Sequence, residues 1–280
     1  MSHIILHENQ YAEIAPEYGG VLLSYVLKLE TGPLHILRPS DDGGKDPEQS
    51  ACFPLLPFAN RIRDGRFSVG NQSVQLKKND KGQHALHGFG WRTPWSVKEK
   101  RNKSILLAQR HEVGEWPWAY QAEQLISISH RGLRIELSVQ NLSPTEMPLG
   151  LGLHPYFPAP EKAKLFADTL CFHSIRPDTL EWTAYRGHPH TQSLNQGKAL
   201  PIGLDNYFGG WAGQARIDWP TYSVKLSASD TLPYLALYSP EGEGFFCLEP
   251  VSHPVNRLPE QGLPPGHFHK VWMEISPLVK

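Results

Sequence analysis

Gln124-Leu125-Ile126-Ser127-Ile128-Ser129-His130, then Arg131-Gly132, then Leu133-Arg134-Ile135-Glu136-Leu137-Ser138-Val139 is the segment from which the fold class can be read. Apolar and polar residues alternate with period two on both sides of the Arg131-Gly132 pair. Successive side chains of a strand point to opposite faces, so each half presents one apolar face, and the basic residue with its glycine supplies the reversal: a β-hairpin. Just upstream, Ser104-Ile105-Leu106-Leu107-Ala108 has strand character, and Tyr222 to Ala228 repeats the alternation. Tyr234 to Tyr238, Gly244 to Leu248 and Gly20 to Leu27 are more continuously apolar, as expected of strands buried on both faces.

Between these stretches 24 glycines and 25 prolines are scattered evenly, which suits many turns rather than long helices. No amphipathic helix longer than a few turns is evident; Pro158 to Lys164 is the place for a short one. There is no internal repeat, low-complexity tract or interdomain linker. A chain of 280 residues could hold two domains, but large all-β sandwiches run to roughly 250 residues as one unit. The expectation is one all-β domain over residues 1–280, built of stacked antiparallel sheets with its chemistry on loops and strand ends.

Charge and cysteine content narrow the function classes. With 27 Lys+Arg against 28 Asp+Glu the net charge is −1, so the chain lacks the basic face that neutralises a nucleic-acid backbone. Cys52, Cys171 and Cys247 are odd in number and far apart, forming neither a disulfide framework nor a closely spaced metal-ligand pair, which favours a reducing compartment. The first residues show no basic region followed by an apolar stretch, and no apolar run approaches the roughly 20 residues that span a bilayer. A soluble cytoplasmic protein is expected, without nucleic-acid or membrane partners.

Four segments concentrate polar and aromatic groups among turn residues. In Phe53 to Phe67, two prolines stiffen the approach to Asn60 and Arg61. A guanidinium offers five fixed donors, suited to several sugar oxygens or to a loop-holding carboxylate. In His84 to Trp95, His87 and the tryptophans Trp91 and Trp95 offer a donor and flat apolar faces for a sugar, or else a core cluster with a satisfied histidine. In Gly150 to Phe157, His154 precedes a proline at an expected strand-to-loop junction. An ordinary pKa near 6.5 suits it to proton transfer near neutrality, though capping a turn is the alternative. In Cys247 to Asn256, Glu249 ends an apolar strand, where a carboxylate is either functional or paired, for instance with Arg61 or Arg257.

Taken together, Asn60-Arg61-Ile62 with Gly65-Arg66-Phe67, Leu86-His87-Gly88, His154-Pro155-Tyr156-Phe157, Asp205-Asn206-Tyr207-Phe208 and Glu249-Pro250-Val251-Ser252-His253-Pro254 resemble the aldose 1-epimerase family. Each motif is weak alone; their order spans residues 11 to about 275. The resemblance implies a galactose mutarotase-like β-supersandwich of large antiparallel sheets, with an open groove and no metal or organic cofactor. It implies Glu249 as general base and His154 as general acid, with Arg61, His87, Asp205, Asn60, Trp91 and Tyr156 binding or walling in a sugar. The partner is then a small-molecule sugar, and the protein a monomer or homodimer. The His-Pro-Tyr-Phe sequence differs from that of the better-known galactose mutarotases.

Other readings use the same residues differently. Gly88-Phe89-Gly90-Trp91-Arg92 resembles an element of hexose-6-phosphate mutarotases, in which Arg63, Arg66 or Arg92 would receive the phosphate. A glycoside hydrolase needs two facing carboxylates, and Asp205 is the single candidate partner for Glu249. A binding protein of the same fold without activity has no need of Glu249 and His154 together. A cupin-like metal enzyme would draw on His84, His87 and His154, but no clustered His-x-His set accompanies a carboxylate.

Overall fold

The hairpin read from Gln124 to Val139 forms with a longer reach. Strand Tyr120–Ser129 pairs antiparallel with Gly132–Asn141, from Tyr120↔Asn141 to Ser129↔Gly132, in a computed structural model that describes residues 1–279. This hairpin is the middle of an eight-stranded sheet. Its order is Ser96–Lys100, Ser104–His111, Tyr120–Ser129, Gly132–Asn141, Phe268–Val279, Tyr222–Ala228, Gln214–Asp218 and Lys164–Ala167.

A second, eleven-stranded sheet runs His3–His7, Gln10–Ala15, Val21–Leu29, Cys52–Leu55, Gly152–Pro158, Phe245–Val251, Tyr234–Ser239, Leu204–Gly209, Cys171–Ile175 and Trp182–Arg186, with Gly32–His35 added beside Val21–Leu29. Its strand pairs are antiparallel although many neighbours are distant in sequence; Gly152–Pro158 lies between Cys52–Leu55 and Phe245–Val251. The all-β class with large antiparallel sheets is thus observed.

The strands that read as continuously apolar are covered on both faces. Leu153, Phe157, Phe246, Leu248, Leu235, Leu237 and Phe208 join Ile126, Ile135, Leu137, Val224, Leu226 and Met273 of the smaller sheet in one core cluster. Each such side chain contributes roughly 1.5–3 kcal/mol on full burial. The alternate residues Phe53, Tyr156, Tyr207, Ala236, Cys247 and Val251 form a separate cluster on the other face. Here alternation is hidden in the sequence because aromatic and apolar side chains occupy both sets.

The expected short helix at Pro158 to Lys164 is a three-residue 3-10 turn, Pro160–Lys162. The α-helix lies instead at Pro189–Asn195, where the His188 side chain accepts from the His190 N–H as an N-cap and proline occupies the first turn. Its seven residues fully bury only Thr191 and Leu194, too weak an apolar stripe to stand out. Among the described residues no helix is long and apolar enough to cross a membrane.

Candidate active site

Strand register on the outer face of the larger sheet assembles the site. Gly152↔Val251 and Tyr156↔Cys247 are partners, a register that sets His154 opposite Glu249. His154 also pairs with Phe53, Glu249 with Ala236, and Ala236 with Tyr207. One row across five strands therefore reads Phe53, His154, Glu249, Ala236, Tyr207. Two residues along, Tyr156, Cys247, Tyr238 and Asp205 form the neighbouring row on the same face. His154 and Glu249 accordingly sit inside strands, not at the strand-to-loop junction and strand end expected from sequence. Both strands run on, to Pro158 and Val251: their mutual pairing lapses across Leu153 to Pro155, but each keeps its other neighbour there, Cys52–Leu55 and Tyr234–Ser239.

His154 Nε2 lies 3.2 Å from Glu249 Oε1, with both residues buried. Glu249 Oε2 has no hydrogen-bond partner, and His154 Nδ1 has none in another residue. A buried, unsatisfied carboxylate oxygen is costly unless something else meets it. Burial pushes the Glu249 carboxyl well above the usual carboxylate range, Asp205 adding to this and Arg61 opposing it. Burial likewise drives the imidazole of His154 down to about 3, and the nearby Arg38 charge acts in the same direction. Burial therefore works against the charged form of both members of the pair. Glu249 makes no ion pair with Arg61 or Arg257.

An aromatic stack fixes His154. Its ring lies on Phe53 at 4.4 Å and on Tyr156 at 4.8 Å; Phe53 continues onto Trp91 at 5.1 Å. Guanidinium groups close both ends, Arg38 at 3.9 Å over Tyr156 and Arg92 at 4.0 Å over Trp91. Glu48 ties the ends together, its carbonyl accepting from Arg38 and its carboxylate pairing with Arg92 at 3.4 Å.

Loops supply the rest. Arg61 donates from Nε to Asp80 at 2.7 Å and from Nη1 to Asp205 at 3.1 Å and to Asn60 Oδ1 at 3.5 Å, so it does hold carboxylates and leaves Nη2 as the donor for a ligand. Asn60 and His87 both adopt left-handed backbone, φ 55° and 60°, a conformation uncommon outside glycine. The two are locked reciprocally: Asn60 N–H donates to His87 Nδ1 and His87 N–H to the Asn60 carbonyl, each at 3.0 Å. His87 Nδ1 being an acceptor, its proton is on Nε2. Burial, with His154 and Arg61 nearby, holds its pKa well below the ordinary value, so His87 is a neutral donor. Gly88 follows because a Cβ there would stand 2.1 Å from the Leu56 carbonyl oxygen, at φ +67°.

His253, the last histidine of the fourth motif, is structural. Its Nδ1 meets the Pro254 carbonyl at 2.9 Å and its Nε2 accepts from the Ala59 N–H at 3.1 Å, holding the loop that presents Asn60. Burial lowers its pKa to about 4. The unfolded chain binds this proton near pH 6.5 and the folded one does not, so stability present above 6.5 is lost as pH falls towards 4. From pH 6.5 to 5 this residue should remove roughly 2 kcal/mol. Urea midpoints at pH 7 and pH 5 measure it, and an unchanged midpoint would contradict a neutral buried His253.

The pocket above these rows has a volume of about 210 Å³ and is lined by Asn60, Arg61, His87, His154, Tyr156, Asp205 and Glu249. It is smaller than the roughly 300–1,000 Å³ of sites for drug-sized ligands, and suits one small polar ring. Trp91 does not line it. That ring is 0% exposed, behind Phe53, with its indole N–H on the Gly88 carbonyl. Trp95 is buried as well, so the core reading of both tryptophans holds.

Leu86 of the Leu86-His87-Gly88 motif lines it too, and Phe53, Asp80, Lys81, Tyr238 and Glu48, which no sequence signal marks as ligand-facing, complete the lining. Asp80-Lys81-Gly82 has turn character that could have marked a loop; Tyr238 gave no signal within an apolar strand. None of Arg63, Arg66 and Arg92 lines this pocket. His87 and His154 meet edge to face at 5.3 Å while His84 lines the adjoining cavity, and among the described residues no three or more His, Cys, Asp or Glu are placed to hold a metal ion.

The family model for aldose 1-epimerase matches residues 2–276. The uncharacterised protein YphB of Escherichia coli K12 is 32% identical over 248 residues, 85% of this chain and 83% of its own length. A solved structure from Escherichia coli K12, provisionally described as an aldose 1-epimerase, superposes with a TM-score of 0.90 at 29% identity, covering 100% of this chain and 99% of the other. A galactose mutarotase-like protein from Clostridium acetobutylicum shares the fold, with a TM-score of 0.86 at 20% identity over 100% and 95% of the two chains. The chain belongs to the aldose 1-epimerase family.

Proposed function

We propose that this chain is a mutarotase that interconverts the α and β anomers of a free aldose, with Glu249 as base and His154 as acid. The observation that carries the proposal is the buried Glu249–His154 contact at 3.2 Å, with Glu249 Oε2 unpartnered on a pocket sized for one ring. Glu249 takes the proton of the C1 hydroxyl while His154 Nε2 gives one to the ring oxygen, and the C1–O5 bond breaks to the open aldehyde. Rotation about C1–C2 presents the other face. His154 then recovers its proton from the C5 hydroxyl as O5 attacks C1, and Glu249 returns its own to O1. The proton count closes within the pair.

Before opening, the pair must take the carboxylate–imidazolium arrangement, which burial alone disfavours. A C1 hydroxyl donating to the carboxylate, together with the charge of Arg61, favours that arrangement. His87 Nε2–H, Arg61 and Asp205 bind the remaining oxygens. Polarimetry of freshly dissolved α-glucose and α-galactose tests the reading, acceleration of the approach to equilibrium being the expected result. Because the pair exchanges one proton internally, kcat/KM is expected to be flat from about pH 5 to 7, without the inflection near 6.5 of an isolated histidine. A clear inflection there would show His154 titrating on its own.

A further inference from the structure

The two last strands of the larger sheet carry polar groups for which the sugar pocket has no use. Cys171 and His173 stand two residues apart on Cys171–Ile175 and pair with Gly209 and Tyr207, so they share the outer face of the sheet with Tyr207. Cys171 Sγ lies 3.5 Å from His173 Nε2. The imidazole is 3% exposed, stacked on Trp182 at 4.5 Å and edge-on to Tyr234 at 5.6 Å. Its Nδ1 has no hydrogen-bond partner, so the thiol is what its ring meets among the described residues. Burial lowers the His173 pKa, leaving the ring neutral and able to take a proton. Gly209 makes the contact possible: a Cβ there would stand 2.9 Å from His173 Nε2 and 3.0 Å from Cys171 Sγ. On its other side Cys171 pairs with Arg186, which is exposed and has no ion pair among the described residues. Thiol, imidazole and guanidinium therefore adjoin on one face, beside a glycine that leaves the sulfur open. Cys171 is partly exposed, whereas Cys52 and Cys247 are buried and burial pushes both of their thiols up.

We infer that Cys171 is a modification site that forms a mixed disulfide with small anionic disulfides of the glutathione type. His173 is the base and Arg186 the anchor for a carboxylate of the reagent. Reactive cysteines sit in partly exposed, electropositive surroundings of this kind, and the thiolate is the attacking form. His173 Nε2 takes the thiol proton and the Cys171 sulfur attacks one sulfur of the disulfide. The S–S bond breaks, and the departing thiolate takes the proton back from His173. Cys171 is oxidised and the departing sulfur reduced, so one disulfide is consumed for each mixed disulfide and free thiol formed. Nothing in this step draws on the mutarotase reading.

The test uses glutathione disulfide and the neutral 2-hydroxyethyl disulfide, with adducts followed by intact-mass and peptide mass spectrometry. One adduct per chain is expected, on Cys171, and none in Cys171→Ser. His173→Gln should slow adduct formation about tenfold with both reagents, because the amide cannot take the thiol proton. Arg186→Glu, a change at an exposed position, should slow glutathione disulfide about threefold at low salt and leave the neutral reagent unaffected. That variant decides the matter if His173→Gln does not fold. No adduct on Cys171, or adducts on Cys52 or Cys247 at a comparable rate, overturns the site. An unchanged rate in folded His173→Gln overturns it as well, and so does an Arg186→Glu variant that treats the two reagents as the wild type does.

Discussion

Glu249→Gln is expected to slow mutarotation by 10²–10⁴-fold, the scale of one positioned proton transfer, while the protein stays folded. The amide keeps the shape of the side chain at its place opposite His154 but cannot take the C1 hydroxyl proton. Stability should move the other way. A carboxyl whose pKa is raised in the fold adds stability below its unfolded value and loses it as pH rises through the folded one. At pH 8 the glutamine variant is therefore expected to melt at the same temperature as the wild type or above it, a case of function held against stability. Polarimetry with α-galactose and a thermal melt at pH 8 give both readouts. Near wild-type turnover in the folded variant would remove Glu249 from its role as base.

His154→Asn should lower activity by a similar 10²–10⁴-fold factor, because an amide cannot deliver a proton to the ring oxygen and recover it. Its stability effect should have the opposite sign to that of Glu249→Gln. The imidazole is held between Phe53 at 4.4 Å and Tyr156 at 4.8 Å, and each aromatic contact is worth about 0.5–1.5 kcal/mol beyond its buried area. A loss of about 1–3 kcal/mol is expected, read from the urea midpoint. The double variant separates a working pair from two independent residues. Groups that act as one unit lose activity once, so it should be hardly slower than either single variant. Multiplied losses would mean that the two side chains do not exchange one proton.

The parts of the site that sequence made legible are those where chemistry is written locally. Glu249 is a carboxyl in an apolar strand, His154 an imidazole before a proline, and Asn60-Arg61 a polar pair after two prolines. Such residues stand out because burying them without purpose is costly. Trp91 stands out for its size, yet an indole that could face a sugar serves equally well behind Phe53, where the structure places it. Tyr238 is the reverse case. It resembles its apolar strand neighbours, yet register places it beside Asp205 at the pocket.

Sequence by itself determined the all-β class, the hairpin around Arg131-Gly132 and the polar groups available for chemistry. These are local properties, since the alternation of a strand and the reversal at a turn are carried by a few adjacent residues. Tertiary structure alone decided that residue 154 faces residue 249, that Asp80 and Asp205 hold Arg61 from two sides, and that burial works against charge on both members of the 154–249 pair. Those outcomes depend on pairing between distant strands and on water excluded from both faces of one sheet. A one-residue slip would turn every side chain of a strand to the opposite face, and only packing across the whole domain fixes that register.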